Sequence, residues 1–138
     1  MRLFATKHSR AELYVHATWA TRSRVPVLSR SLLGRLAIQA RSTALKLGAA
    51  LLAFDGTEEH LHVLLRYRPD LTISNLVRSL KAAMTRLIRR DIEHLPDFAW
   101  QTGYGAFSVS PKEVERVIAY ISNQRRHHAD GTTWPDVE

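Results

Sequence analysis

The 138-residue chain contains no cysteine, which excludes disulfides, thiolate metal sites and a cysteine nucleophile, and fits a reducing compartment. Long apolar runs are missing too. The longest, residues 47–54, falls far short of the ~20 residues that a membrane span needs. The opening MRLFATKHSRAELYVH holds no apolar stretch of signal-peptide length. Secretion and membrane insertion are therefore not expected, and a cytoplasmic location is. Lysine and acid are also scarce: of 20 basic residues 16 are arginine, against 13 acidic residues, for a formal charge of +7. Arginine's planar fork grips phosphate bidentately, so this balance leans toward a polyanionic partner, although solubility alone would also accommodate it.

What is present is an ordinary globular mix, 45% hydrophobic and 24% charged. It suits one domain over residues 1–138, with a loosely held tail from about 128. Residues 12–21, ELYVHATWAT, are rich in β-branched and aromatic types and read as a strand. A basic loop with Arg22, Arg24 and Arg30 follows. Leu32, Leu33, Leu36, Ala40, Ala44 and Leu47 then recur at helical spacing over 31–47, with Ser29 or Ser31 to cap the start and Gly48 to end it. Residues 50–55 and 60–67 read as two strands joined by a turn at Asp55-Gly56-Thr57-Glu58. A second helix is predicted over about 72–94, with an apolar stripe and a basic remainder that includes Arg78, Lys81 and Arg86. Residues 103–109 read as a strand. Ser110-Pro111-Lys112-Glu113 then starts a last helix that reaches about His127. The order β-α-β-β-α-β-α points to an α+β, ferredoxin-like antiparallel sheet with two helices on one face and a C-terminal helix added.

Two patterns could carry chemistry. Strand side chains alternate between faces, so His60 and His62 of EEHLHVLL share one face, with Leu61, Val63 and Leu65 on the other. Two imidazoles so placed can chelate one divalent cation; two ordinary strand histidines would look the same. On the last helix, Tyr120 and Gln124 are four apart and so share a face. The apolar positions there are better filled by Val114, Val117, Ile118 and Ile121, although a packed tyrosine remains an open reading. Taken together, a phenol that attacks a phosphodiester and a cation that polarises the phosphate make one reaction.

Over nearly its whole length the chain resembles the single-tyrosine HUH transposases of the insertion-sequence 200/605 group. The resemblance lies in YVHATWATRSRVPVL, EEHLHVLL, LVRSLKAAMTRLIRR and WQTGYGAFSVSPKEVERVIAYISNQRRHH. It implies a prokaryotic DNA transposase, used at the nucleoid, with Tyr120 as nucleophile forming a 5′-phosphotyrosine. It implies that His60, His62 and Gln124 ligate one Mg²⁺ or Mn²⁺. It implies single-stranded DNA hairpins as substrate, and a homodimer that often completes its sites in trans. The family usually has Pro-Asp before the first histidine, where this chain has Glu58-Glu59. Glu59 could orient an imidazole as the aspartate would, or do nothing. Arg22, Arg24, Arg78, Lys81 and Arg86 are the candidate phosphate contacts. Trp100 or Tyr104 could stack an unpaired base, or serve in the core or a dimer contact. His127 and His128 could touch DNA or the site, but are expected to be solvated at a helix end. Two other readings stay open: a domesticated relative that processes host palindromes, and a non-catalytic module that binds nucleic acid on its sheet.

Overall fold

A computed structural model of the chain describes residues 8–135, except for the side chains of Arg125 and Arg126. Four strands form one antiparallel sheet: β1 (Leu13–Ala20), β2 (Ala49–Gly56), β3 (His60–Tyr67) and β4 (Gly105–Val109), in the order β2-β3-β1-β4. The helices are α1 (Arg30–Leu47), α2 (Ile73–Asp91), α3 (Val114–Ile121) and α4 (Gln124–Asp130). This is the ferredoxin-like α+β arrangement that the element order implies.

The local chemistry accounts for the boundaries. The Ser29 hydroxyl accepts the Leu32 N–H at 3.1 Å and opens α1, and Gly48 closes it at φ 94°, a conformation that costs glycine nothing. Thr72 caps α2 by accepting the Asn75 N–H at 3.2 Å. Alternation sorts the two faces of the sheet. Val15, Ala17 and Trp19 of β1 and Leu61, Val63 and Leu65 of β3 meet the apolar stripes of α1 and α2 in the main core. Each fully buried leucine there contributes about 1.5–3 kcal/mol. On the opposite face Tyr14, Ala53 and Leu64 pack against Val117, Tyr120 and Ile121 of α3. The added helix thus covers the face that the ferredoxin-like helices leave open.

Three expectations about the C-terminal region change. The last helix is not continuous to His127. It breaks at Ser122–Asn123, where Asn123 Nδ2 donates to the Ala119 carbonyl at 2.8 Å and the Asn123 N–H to the Tyr120 carbonyl at 3.3 Å. Local bonding by an asparagine side chain outcompetes the helical ladder at that point. The helix also does not start on a serine cap. Ser110 makes no side-chain cap bond, and Pro111–Glu113 form a short 3-10 turn ahead of α3. Third, the tail read as loosely held makes specific contacts from His128 to Trp134, described below; residues 136–138 lie outside the described residues.

The β2–β3 hairpin presents the histidine face, and Gly56 permits its tight approach. A Cβ on Gly56 would sit 2.2 Å from the His60 carbonyl oxygen. Gly56→Ala is therefore expected to destabilise the fold by ~1–3 kcal/mol through backbone overpacking, read as a lower urea midpoint. An unchanged midpoint would contradict this account of the hairpin.

A histidine–tyrosine cluster under the C-terminal helices

Positions 60 and 62 face α3 because positions 61 and 63 are committed to the main core. Their rings lie 5.3 Å apart between centroids, and both are buried. His62 sits opposite Thr18 of β1, which makes His16 its diagonal neighbour. His16 Nε2 lies 2.8 Å from His62 Nδ1, and both residues are almost fully buried. His60 Nδ1 lies 2.9 Å from Thr57 Oγ1 in the hairpin. His60 Nε2 lies 3.1 Å from His128 Nε2 of α4.

Tyr120 comes to the same place from α3. Its ring centroid is 6.1 Å from that of His62 and 6.4 Å from that of His16. The side chain is only 2% exposed. Trp134 stacks on it at 3.8 Å with a 14° interplanar angle, and the Trp134 N–H donates to the Tyr120 hydroxyl at 3.0 Å. Arg116 lies over the Trp134 ring at 4.6 Å. Gln124, at the start of α4, is fully buried. Its Nε2 donates to the Tyr120 carbonyl at 3.5 Å, and its Oε1 has no hydrogen-bond partner among the described residues. An orphaned buried acceptor is costly unless something else uses it.

His60, His62 and Tyr120 thus come together within one chain, and Gln124 adjoins them through the Tyr120 backbone carbonyl. The donor set suits a hard or borderline divalent cation: two imidazoles and an amide oxygen, with one acceptor unsatisfied. Among the described residues no three His, Cys, Asp or Glu side chains form a metal-holding group, so any third protein donor is of another type, and the Gln124 oxygen is the one that the resemblance implies.

A cleft of about 270 Å³ opens beside the histidines, lined also by Arg24, Glu59, Tyr104 and His128. Glu59 does not orient His60. Its Oε1 is 3.9 Å from His60 Nδ1 and pairs instead with Arg24 at 2.8 Å. Thr57 holds that nitrogen. His128 is exposed in the last turn of α4, as expected of it, and its ring also reaches His60. His127 packs on Tyr120 with centroids 4.6 Å apart. Of the two aromatics, Trp100 is a core residue whose Nε1 donates to the Lys81 carbonyl, while Tyr104 stands 43% exposed at the cleft.

The basic candidates separate. Arg24 reaches the cleft from a short turn in which Ser23 and Arg24 both adopt positive φ, 55° and 54°. Arg22 is exposed beside a second cleft formed with His94–Ala99. Arg78 and Arg86 are exposed on α2, on the opposite layer of the sheet from the histidines. The Lys81 ammonium donates to the Gln101 and Gly103 carbonyls at 3.0 and 2.9 Å, and burial lowers its pKa. Sequence reasoning missed His16, Thr57 and Trp134. Their part in the cluster depends on cross-strand register and on where the tail returns.

Comparisons with known proteins agree with this architecture. A protein from Deinococcus radiodurans R1 assigned as a transposase shares 27% identity at a TM-score of 0.71, over 87% of this chain and 96% of its own. A REP-associated tyrosine transposase, solved bound to a REP hairpin, matches at 17% identity and a TM-score of 0.64, over 95% of this chain and 81% of its own. No curated protein matches the chain. The fold is thus one that transposases use. The family described as Transposase IS200 like matches residues 9–124, and the chain belongs to that family. It is a transposase of the IS200 type, a DNA-processing enzyme. No helix among the described residues is long and apolar enough to cross a membrane.

The stacked cover over Tyr120 has a direct consequence. Trp134→Ala is expected to raise nitration of Tyr120 by tetranitromethane several-fold, measured by mass spectrometry of the tyrosine peptide. Equal nitration in both proteins would show that the indole does not shield the phenol.

Proposed function

We propose that this transposase cleaves and rejoins single-stranded DNA at hairpin-marked element ends, with Tyr120 as the nucleophile. The placement of Tyr120 against His62 within one chain, at 6.1 Å between ring centroids, carries the reading. The Tyr120 oxygen attacks the scissile phosphorus. The bond from phosphorus to the 3′ oxygen breaks, the phenolic proton is released and the 3′ oxygen takes up a proton. The products are a 5′-phosphotyrosine and a 3′-hydroxyl. The ester bond is conserved, so a 3′-hydroxyl can reseal the strand by the reverse attack without a nucleotide cofactor.

His60, His62 and the Gln124 oxygen would hold one Mg²⁺ or Mn²⁺. Bound there, the ion supplies charge that polarises the phosphate and stabilises the leaving oxygen. The buried histidine face excludes water from that charge and fixes the rings before substrate arrives. Tyr104, exposed at the cleft, is placed to stack an unpaired base beside the scissile phosphate. Arg24 would exchange its Glu59 partner for phosphate. A homodimer brings two element ends together, while each site takes its nucleophile and histidines from one chain.

Covalent capture tests this reading. End-labelled single strands from both flanks of the gene, incubated with Mn²⁺ or Mg²⁺, should leave the 3′-side fragment on the protein in a denaturing gel. Tyr120→Phe should lower adduct formation by roughly 10³-fold or more while hairpin binding stays within about twofold. His62→Ala and excess chelator should also abolish the adduct. Adduct formation that persists in Tyr120→Phe, or in chelator, would overturn the assignment.

Salt dependence separates the basic residues. Arg78→Ala and Arg86→Ala should each reduce the slope of log affinity against log salt by about 0.7 for single strands. Lys81→Ala should instead lower the unfolding midpoint, because its ammonium holds the 101–103 backbone. A slope unchanged in both arginine variants would remove α2 from the DNA surface.

A further inference from the structure

Two buried side chains around the histidine pair carry an inference that rests on the metal reading above and deepens it. His16 is 1% exposed on the sheet face beneath α3, with Phe107 and Tyr120 packed edge-on to its ring at 6.1 and 6.4 Å. A leucine or phenylalanine would fill such a place without any desolvation cost. An imidazole there is stable only if its nitrogens are bonded. One bond, at 2.8 Å, runs to Nδ1 of His62. Thr57 is a hairpin residue that is nonetheless buried. It clamps His60 twice: its N–H donates to the His60 carbonyl at 3.0 Å, and its hydroxyl oxygen lies 2.9 Å from His60 Nδ1. The two contacts come from different elements and converge on the same ring atom of each histidine.

We propose that His16 and Thr57 are positioning residues that hold Nδ1 of His62 and of His60, so that both imidazoles meet a divalent cation through Nε2. A ligating nitrogen must offer a lone pair, so each Nδ1 carries the proton and donates it. His62 donates to His16 Nε2, and His16 then keeps its own proton on Nδ1. His60 donates to the Thr57 hydroxyl oxygen. Two things follow. Each ring is fixed in orientation, and each tautomer is selected before metal arrives. Partners of this kind raise ligand basicity, and their loss typically weakens metal binding by 10–100-fold. Thr57 thereby does what Glu59, paired with Arg24, does not.

The test uses the full chain and Mn²⁺ as the probe, with binding read by electron paramagnetic resonance and folding by thermal unfolding. His16→Leu and Thr57→Val keep bulk but remove the bond. Each should weaken Mn²⁺ binding by roughly 10–100-fold. His16→Gln and Thr57→Ser restore an acceptor and should return affinity to within a few-fold of wild type. His62→Ala is the control and should abolish binding. Nitrogen-15 spectra of the metal-free chain give a second readout that needs no variant to fold. They should show the Nδ1–H tautomer for both His60 and His62.

Wild-type affinity in Thr57→Val and His16→Leu, with binding lost in His62→Ala, would overturn the positioning roles and leave the metal reading standing. Weakened binding that the Gln and Ser variants do not rescue would also overturn them, because a merely structural role would behave that way. Nε2–H tautomers in the wild-type chain would do the same. Mn²⁺ binding that is absent, or indifferent to His62→Ala, would overturn the metal reading and this inference with it.

Discussion

A strand with no solvent-facing side is the constraint on which the rest of the molecule depends. β3 pairs with β2 on one edge and β1 on the other, and both of its faces are covered from His60 to Leu65. One face supplies Leu61, Val63 and Leu65, enough hydrocarbon to seat α1 and α2. The other carries His60, His62 and Leu64. Burying Leu64 requires a cover, and Val117 and Ile121 of α3 provide it. Tyr120 lies between those two apolar anchors, so the helix that completes the second core also delivers the phenol. Burying the imidazoles creates the opposite demand. Their nitrogens need partners in a place without bulk water, and His16, Thr57 and His128 meet it.

The parts of the fold governed by local chemistry were legible in the sequence. Periods of two and of about 3.6 placed β1, β3, α1 and α2. Ser29 and Gly48 marked the ends of α1 because capping and left-handed closure involve only neighbours along the chain. The common face of His60 and His62 followed from alternation alone. What was not legible depends on register. His16 becomes the neighbour of His62 only when Thr18 stands opposite His62, and a shift of one residue would send it to the other face. The break at Ser122–Asn123 was hidden for a related reason. The apolar stripe ends at Ile121, but helix formers resume at Gln124, so the pattern does not mark a break, and one asparagine side chain decides the outcome. The tail reads as weakly held because it is a chain end, yet its single tryptophan finds a ring to stack on.

The basic excess likewise proves to serve more than one purpose. Arg89 donates to the Phe98 carbonyl at 2.8 Å, and Lys81 to those of Gln101 and Gly103. These cations tie the 95–104 segment to α2, and that segment forms one wall of the cleft beside the histidines. At the C-terminus of α2, Arg90 and Arg35 hold Asp91 well below the usual carboxylate range, at a pKa of about 2, and the Arg35 pair joins α2 to α1. Charge that reads along the sequence as a single nucleic-acid-binding surface is therefore partly structural. Arg22, Arg24, Arg78 and Arg86 are among the arginines left exposed at a cleft or on a helix face.

The nucleophile poses the opposite problem from the histidines. An imidazole can act while buried if its ligand fits, but a phenol must meet a bulky phosphodiester. Tyr120 is nearly inaccessible, and what covers it is the stacked Trp134 together with His127, both of which follow the break after Ile121. On the near side of that break, α3 is fixed by Val117 and Ile121 in an apolar core. On the far side, the described contacts are rings, the buried Gln124 amide, and hydrogen bonds at His127, His128, Thr132 and Trp134. Lifting α3 would expose hydrocarbon at roughly 25 cal/mol for each Å². Lifting the segment around Trp134 exchanges hydrogen bonds for bonds to water, at about 0.5–1.5 kcal/mol each, plus the loss of one stacked pair. The less costly way to uncover the hydroxyl therefore leaves Tyr120 where α3 holds it, against His62, leaves Gln124 buried at the start of α4, and moves only the tail around Trp134. The helix thus positions the nucleophile, and the returning tail covers it.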